Sequence, residues 1–216
     1  MSSDNRTTTR WWWIRHAPVT SDGGRVYGAS DLPADCSDRA AFEGLARHLP
    51  QEAVWVTSHL MRTHQTMDAI GAAGYPLPAE ESPRNIEIDL GEQSFGELQG
   101  RSRQEIFATN EFQRHRFWLS AVDVVPPGGE SFEQLIGRVV PVVERLTQTY
   151  HLKDVICVAH GGTIRAALSH ALRIPAASAL HFRIDNLSVT RLDHHAPDRL
   201  WPDPDWQVVT VNHHPR

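Results

Sequence analysis

The chain has 216 residues, 40% hydrophobic and 22% charged, which suffices for one well-buried core and describes an ordinary globule. Its formal net charge of −5 leaves no broad basic face and argues against nucleic acid as a partner. No apolar stretch approaches the roughly 20 residues that span a bilayer, which argues against a membrane protein.

Residues 1–9 are polar and read as a disordered lead-in without the apolar core of a signal peptide, so a cytoplasmic location is expected. Residues 10–16 predict a first strand on the apolar run Trp11–Ile14, ending at Arg15 and His16. Its three tryptophans alternate and are expected to pack under helices on both faces rather than form a binding box. Residues 17–37, rich in Gly, Pro, Asp and Ser, form a long loop. Ser37 and Asp38 then cap a helix to about Leu49, and Ala53 to Thr57 is a second strand. Ser58 opens a helix to about Ala73, with Arg62 and Thr66 one turn apart on one face.

Residues 84–88 are extended and lead into a loop from Gly91 to Gly100; residues 101–120 read as helical. Pro126 to Gly129 breaks the chain, and Ser131 caps a helix to about Tyr150. A buried strand, 154–159, is followed by a helix from Thr163 to Leu172, and 186–193 and 206–212 alternate as strands. The two cysteines, Cys36 and Cys157, sit in contexts that give no reason to pair them.

Strands alternating with helices predict a single α/β domain over 10–216. It is expected to be a three-layer α/β/α sandwich, its sheet mostly parallel and its C-terminal strand pair near an edge. Two apolar runs end in histidine: Arg15-His16 closes one, and His160-Gly161-Gly162 closes the other. Open α/β sheets bind ligands at the carboxyl edge of their strands. Two imidazoles and a guanidinium on that edge suit a phosphate.

Five ordered segments then resemble one family. "IRHAPV" at 14–19, "VTSHLMRTHQT" at 56–66, "LGEQSFGELQG" at 90–100, "PPGGESFEQLIGRV" at 126–139 and "VAHGGTIRAAL" at 158–168 are similar to the motifs of the histidine phosphatase superfamily, the phosphoglycerate mutase-like proteins. The resemblance runs from residue 10 to about 212. It implies that fold, with His16 as nucleophile, Arg15, Arg62 and His160 in the phosphate pocket, and Glu92 as proton donor. The family's usual glycine, hydroxyl residue and asparagine after the first histidine are replaced here by Ala17, Val19 and Asp22, so Thr20 and Ser21 are the nearest hydroxyls.

The chemistry stands on the residues as well. A phosphoryl group carries about two negative charges at neutral pH. Arg15 and Arg62 offer forked donors to its oxygens. A neutral His16 nitrogen can attack phosphorus while the arginines and His160 hold the developing charge, provided that its other nitrogen donates to a fixed acceptor. Glu92 can protonate the leaving alkoxide and later activate water. The scheme needs no metal or other cofactor. The adjacent pairs His194-His195 and His213-His214 lack zinc-site spacing. Gly161 opens a helix whose free amides are placed to face the anion.

"VYGASDLP" at 26–33 resembles the early loop of the alpha-ribazole phosphatase branch, which places Tyr27 beside the substrate. The segment 101–120, with Arg101, Arg103, Phe112, Arg114, Arg116 and Trp118, is expected to cover the site and select the leaving group. The expected activity is hydrolysis of a small phosphorylated metabolite, with alpha-ribazole 5'-phosphate as one candidate. A mutase-type phosphotransfer is the alternative, and a non-catalytic phospho-ligand binder is the reading from another class. For assembly, a homodimer is left open.

Overall fold

The computed structural model describes residues 7–79, 85–109 and 113–215. Strand β1 (Thr8–Arg15) lies near the middle of the sheet, because each of its faces carries tryptophan. Trp11 and Trp13 stack with ring centroids 4.9 Å apart on one face. Trp12 points to the other, where its indole N–H donates to Asp154 Oδ1 at 2.9 Å. A strand apolar on both sides must be covered on both sides. Helix α1 (Arg39–His48) and helix α2 (Met61–Ala72) pack around Trp12 and Ile14. Helix α4 (Phe132–Thr149) and helix α5 (Gly161–Leu172) pack around Trp11 and Trp13. These are the expected three layers.

Between these come β2 (Val54–Thr57), the two-residue β3 (Asn85–Ile86), helix α3 (Arg103–Thr109) and β4 (Asp154–Ala159). The short helix α6 (Ala176–Ala179), β5 (Val189–His195) and β6 (Asp205–His213) complete the described elements. The sheet order is β3-β2-β4-β1-β5-β6. β1, β2, β3 and β4 run parallel; β5 is antiparallel to both β1 and β6, so the C-terminal pair closes one edge.

Several boundaries differ from those read in the sequence, each for a local reason. Thr8 and Thr9 belong to β1 rather than to a lead-in, because β5 reaches far enough to pair them with His195 and His194. Residues 1–6 of that lead-in lie outside the described residues. Leu187 sits at φ +58°, which makes a turn where a strand was expected, and β5 starts two residues later. Among the described residues, the helix expected over 101–120 covers Arg103–Thr109. Residues 113–120 are an irregular flap whose rings are taken up by tertiary contacts, and Phe112 lies outside the described residues. Of the extended piece at 84–88, Asn85 and Ile86 pair with β2, and residue 84 is outside the described residues. Helix α6 follows Pro175, which supplies the fixed φ of a helix start.

The strand register sets up everything that follows. Arg15 of β1 lies opposite Ala159 of β4, on parallel neighbours. The next residue on each strand is a histidine, so His16 and His160 leave the sheet side by side.

Candidate active site

The rings of His16 and His160 lie 5.1 Å apart between centroids, and both are buried. His16 Nδ1 is 2.7 Å from the carbonyl oxygen of Ala17. A carbonyl only accepts, so Nδ1 carries the hydrogen and Nε2 carries the lone pair. That Nε2 is buried and has no hydrogen-bond partner among the described residues. Burial, with Arg62 and Arg15 nearby, holds the imidazole well below its ordinary pKa of 6.5 and keeps it neutral. Ala17 is fixed in turn, since its N–H donates to Thr66 Oγ1 at 2.9 Å. Asn186 Nδ2 donates to the His16 carbonyl at 2.7 Å.

Arg62 stands in the first turn of α2 and is wholly buried. It donates through Nη1 to Ser30 O at 2.7 Å, through Nη2 to Gly28 O at 2.8 Å, and through Nε to His160 Nδ1 at 3.3 Å. Guanidinium has five N–H groups, so two remain uncommitted. Gly28 sits at φ +45° against Phe95 and the Gln93 carbonyl, a close approach that excludes a side chain. With Nδ1 of His160 accepting from Arg62, its Nε2–H donates to Ser58 Oγ at 2.8 Å. Burial and Arg62 hold His160 well below its usual pKa too.

Arg15 donates from Nη1 to Ile184 O at 2.6 Å, while its buried Nε has no partner among the described residues. Arg165 of α5 lies alongside, with its guanidinium carbon 5.0 Å from the Trp118 ring centroid. Burial and the neighbouring Arg15 pull Arg165 down to about 10, against the opposing pull of Glu92 and Asp185. Among the described residues, Arg15, Arg62 and Arg165 form no ion pair with a carboxylate. Three guanidiniums and two neutral imidazoles thus crowd one strand edge without a bonded counter-charge. Buried positive charge of this kind is expensive unless an anion completes it.

Glu92 is buried against the start of α5. Its Oε1 accepts from Gly162 N at 3.1 Å and from Gln93 N at 3.0 Å. The expected picture of α5 amides free to meet the anion is therefore corrected at Gly162, whose N–H is engaged by Glu92. A Cβ on Gly162 would lie 2.4 Å from Glu92 Oε1 and 2.8 Å from a Leu135 methyl, so that closeness requires glycine. Gly161 sits against two cations: a Cβ there would lie 3.1 Å from Arg165 Nη1 and 3.6 Å from Arg15 Nε.

A cavity of about 360 Å³ opens beside these groups. Arg15 and Glu92 face it, as do Tyr27, Arg103, Arg116 and Trp118. Phe95, Phe107 and Phe117 add further aromatic wall. Of the residues expected to bind substrate, Tyr27 and Arg116 line this cavity. Arg114 is not on the lining; its guanidinium lies 4.9 Å from the Phe107 ring centroid, one layer back. Thr20 is exposed and away from the lining. Asp22 is paired with Arg103 at 3.3 Å, which answers its negative charge. Ser58, Arg165, Asn186 and the carbonyls of Gly28 and Ser30 were not singled out from the sequence. Only the first two carried a signal there, through their places in the Ser-x-x-x-Arg and His-Gly-Gly-x-x-Arg runs.

Among the described residues, no group of three or more His, Cys, Asp or Glu side chains is gathered as a metal site requires. No helix among them is long and apolar enough to cross a membrane. Cys36 and Cys157 are free thiols.

The profile of the histidine phosphatase superfamily (branch 1) matches residues 11–201. A metal-independent phosphoserine phosphatase of Arabidopsis thaliana is 35% identical over 91% of this chain and 80% of its own length. An adenosylcobalamin/alpha-ribazole phosphatase of Salmonella typhimurium is 24% identical over 82% of this chain and 86% of its own. The solved structure of a mycobacterial glucosyl-3-phosphoglycerate phosphatase superposes with a TM-score of 0.78 at 24% identity, over 95% of this chain and 99% of that one, and carries the same fold. The match over nearly the whole length, on a sheet whose edge gathers paired histidines and unpaired arginines, means that this chain belongs to branch 1 of the histidine phosphatase superfamily and is a hydrolase of that type.

Proposed function

We propose that the protein hydrolyses a small phosphomonoester through a phosphohistidine on His16. The observation that carries this reading is the setting of the His16 ring: Nδ1 tied to the Ala17 carbonyl, and Nε2 buried with no partner among the described residues. The Nε2 lone pair forms the N–P bond as the P–O bond to the leaving group breaks. The departing oxygen takes its proton from Glu92. In the second half, water gives a proton to the Glu92 carboxylate, its oxygen bonds phosphorus, and the N–P bond breaks to release phosphate. Arg15 and Arg62 hold the equatorial oxygens, with His160 and Ser58 orienting Arg62 from behind. None of these steps calls on a metal.

The substrate proposed is a phosphorylated metabolite whose leaving group carries a ring. Three phenylalanines, Tyr27 and Trp118 wall the cavity, and Arg116, which has no carboxylate partner among the described residues, adds a charge for an acidic group. Alpha-ribazole 5'-phosphate is the first compound to test, on the Salmonella relative and the Tyr27-Gly28 loop; phosphoserine is the second, on the Arabidopsis relative. Steady-state phosphate release over a panel of monoesters, with EDTA present and His16→Ala as control, tests both levels. Turnover that survives EDTA and vanishes in the variant supports the reading. Turnover that persists in His16→Ala removes His16 as nucleophile.

A further inference from the structure

Arg138 and Glu130 are far from the phosphate pocket in sequence and take no part in the steps above, yet their contacts converge on Glu92. The Arg138 fork meets the Glu130 carboxylate twice, Nη2 to Oε1 at 2.6 Å and Nε to Oε2 at 2.9 Å. The remaining donors go to the backbone of one segment. Nη1 reaches Asp89 O at 2.6 Å and Gly91 O at 3.0 Å, and Nη2 reaches Glu92 O at 3.0 Å. Glu130 holds the other side of the same turn. Its Oε1 accepts from Ser94 N at 3.0 Å, and its carbonyl accepts from Gln93 Nε2 at 2.8 Å. The backbone on both sides of Glu92 is thereby pinned to the start of α4, whose own N-terminus is locked by the capping box of Ser131 and Gln134. A surface ion pair needs none of this, since a lone exposed pair stabilises little. This one is one-fifth to one-quarter exposed, and its fork also donates to three carbonyls of the 89–92 segment.

We propose that the Glu130–Arg138 pair is a positioning device that fixes the Glu92 carboxyl for proton transfer to the leaving oxygen. The inference rests on the assignment of Glu92 as general acid. A proton donor matters most when the leaving oxygen is basic, so an alkyl phosphomonoester depends on it and an aryl one such as p-nitrophenyl phosphate depends on it far less. The readout is the ratio of kcat/KM for an alkyl monoester to kcat/KM for p-nitrophenyl phosphate, which reports the phosphorylation step alone.

Wild-type protein is compared with Arg138→Met, Arg138→Lys, Glu130→Gln and Glu92→Gln, each checked for native circular dichroism. Glu92→Gln is expected to lower the ratio by about 100-fold, and Arg138→Met by about tenfold. Lysine, a point charge without the fork, restores little of it. Glu130→Gln keeps one acceptor oxygen and replaces the other with a donor, tests the pair from the other side and lowers the ratio less. If Arg138→Met and Glu130→Gln lower both substrates in proportion, the pair is only structural and the inference is overturned. An unchanged ratio in Glu92→Gln would instead overturn the acid assignment itself, whatever the Arg138 variants do. If Arg138→Met does not fold, Arg138→Lys and Glu130→Gln decide the matter by the same ratio.

Discussion

The reactivity proposed for His16 rests on one hydrogen bond and on a buried Nε2 with no partner among the described residues. Because its folded pKa is held well below 6.5 by burial and by Arg62 and Arg15, the proposed nucleophile stays unprotonated as pH falls from neutral through 6.5. The rate of phosphoenzyme formation, followed by rapid quench, is expected to stay flat across that range. A fall centred near 6.5 would show an ordinary, solvent-like histidine. His16→Ala is expected to lose at least about a thousandfold in kcat/KM. Gly162→Ala probes Glu92 without touching its carboxyl: the added methyl must displace Oε1 or Leu135, so activity is expected to drop about 10- to 100-fold with a stability cost of about 1–3 kcal/mol. The five residues now proposed for the chemistry were all legible in the sequence, because each sits in a short run of fixed spacing. Their partners were not. The acceptor for His16 is a main-chain carbonyl, and the acceptors for Arg62 belong to Gly28 and Ser30, whose side-chain identities say nothing of where their carbonyls point.

At the level of elements, β1 and β4 carry the site because their parallel register sends both histidines off the same edge. Asp154, at the start of β4, ties the other end. It accepts from the Trp12 indole at 2.9 Å and from Arg10, and it is buried. Asp154→Ala leaves two donors of β1 without their acceptor and is expected to cost about 2–3 kcal/mol in urea unfolding, while turnover per folded molecule is kept. A loss of turnover at full stability would mean that this end of the sheet communicates with the chemistry. Long periodic or uniformly apolar elements were readable beforehand, α4 from its Ser131 cap and β4 from its unbroken apolar run. The flap at 113–120 was not, because its aromatic and basic residues fit a helix face equally well. Tertiary partners decide its shape: Trp118 donates to Gln93 Oε1 at 2.7 Å, and the His115 ring lies 5.1 Å from that of His181. The polar start of β1 was missed for the opposite reason, since nothing in two threonines announces a strand until β5 lies beside them.

Across the whole molecule, the two buried histidines link folding to pH. Both are held neutral, His16 and His160 lying well below 6.5 when folded, whereas the unfolded chain titrates them near that value. Below 6.5 the unfolded state therefore binds more protons, so stability is full above that pH and is lost as pH falls toward the folded values. The midpoint of thermal unfolding is expected to decline on acidification from about pH 7, less steeply in His160→Gln, which removes one of the two groups. Equal slopes in both proteins would show that other residues govern the acid side. The distribution of the seven tryptophans has an optical consequence. Trp118 lines the cavity, Trp11, Trp12, Trp13 and Trp55 are buried in the core, Trp206 is half-buried against the His194 ring away from the cavity, and Trp201 is 72% exposed. Emission from the core indoles is a fixed background, Trp201 is open to iodide quenching, and Trp118 alone changes surroundings when a ligand fills the cavity. Binding of an unlabelled phosphomonoester should then be visible in intrinsic fluorescence and silent in Trp118→Phe, which gives the protein a built-in reporter for identifying what it takes up.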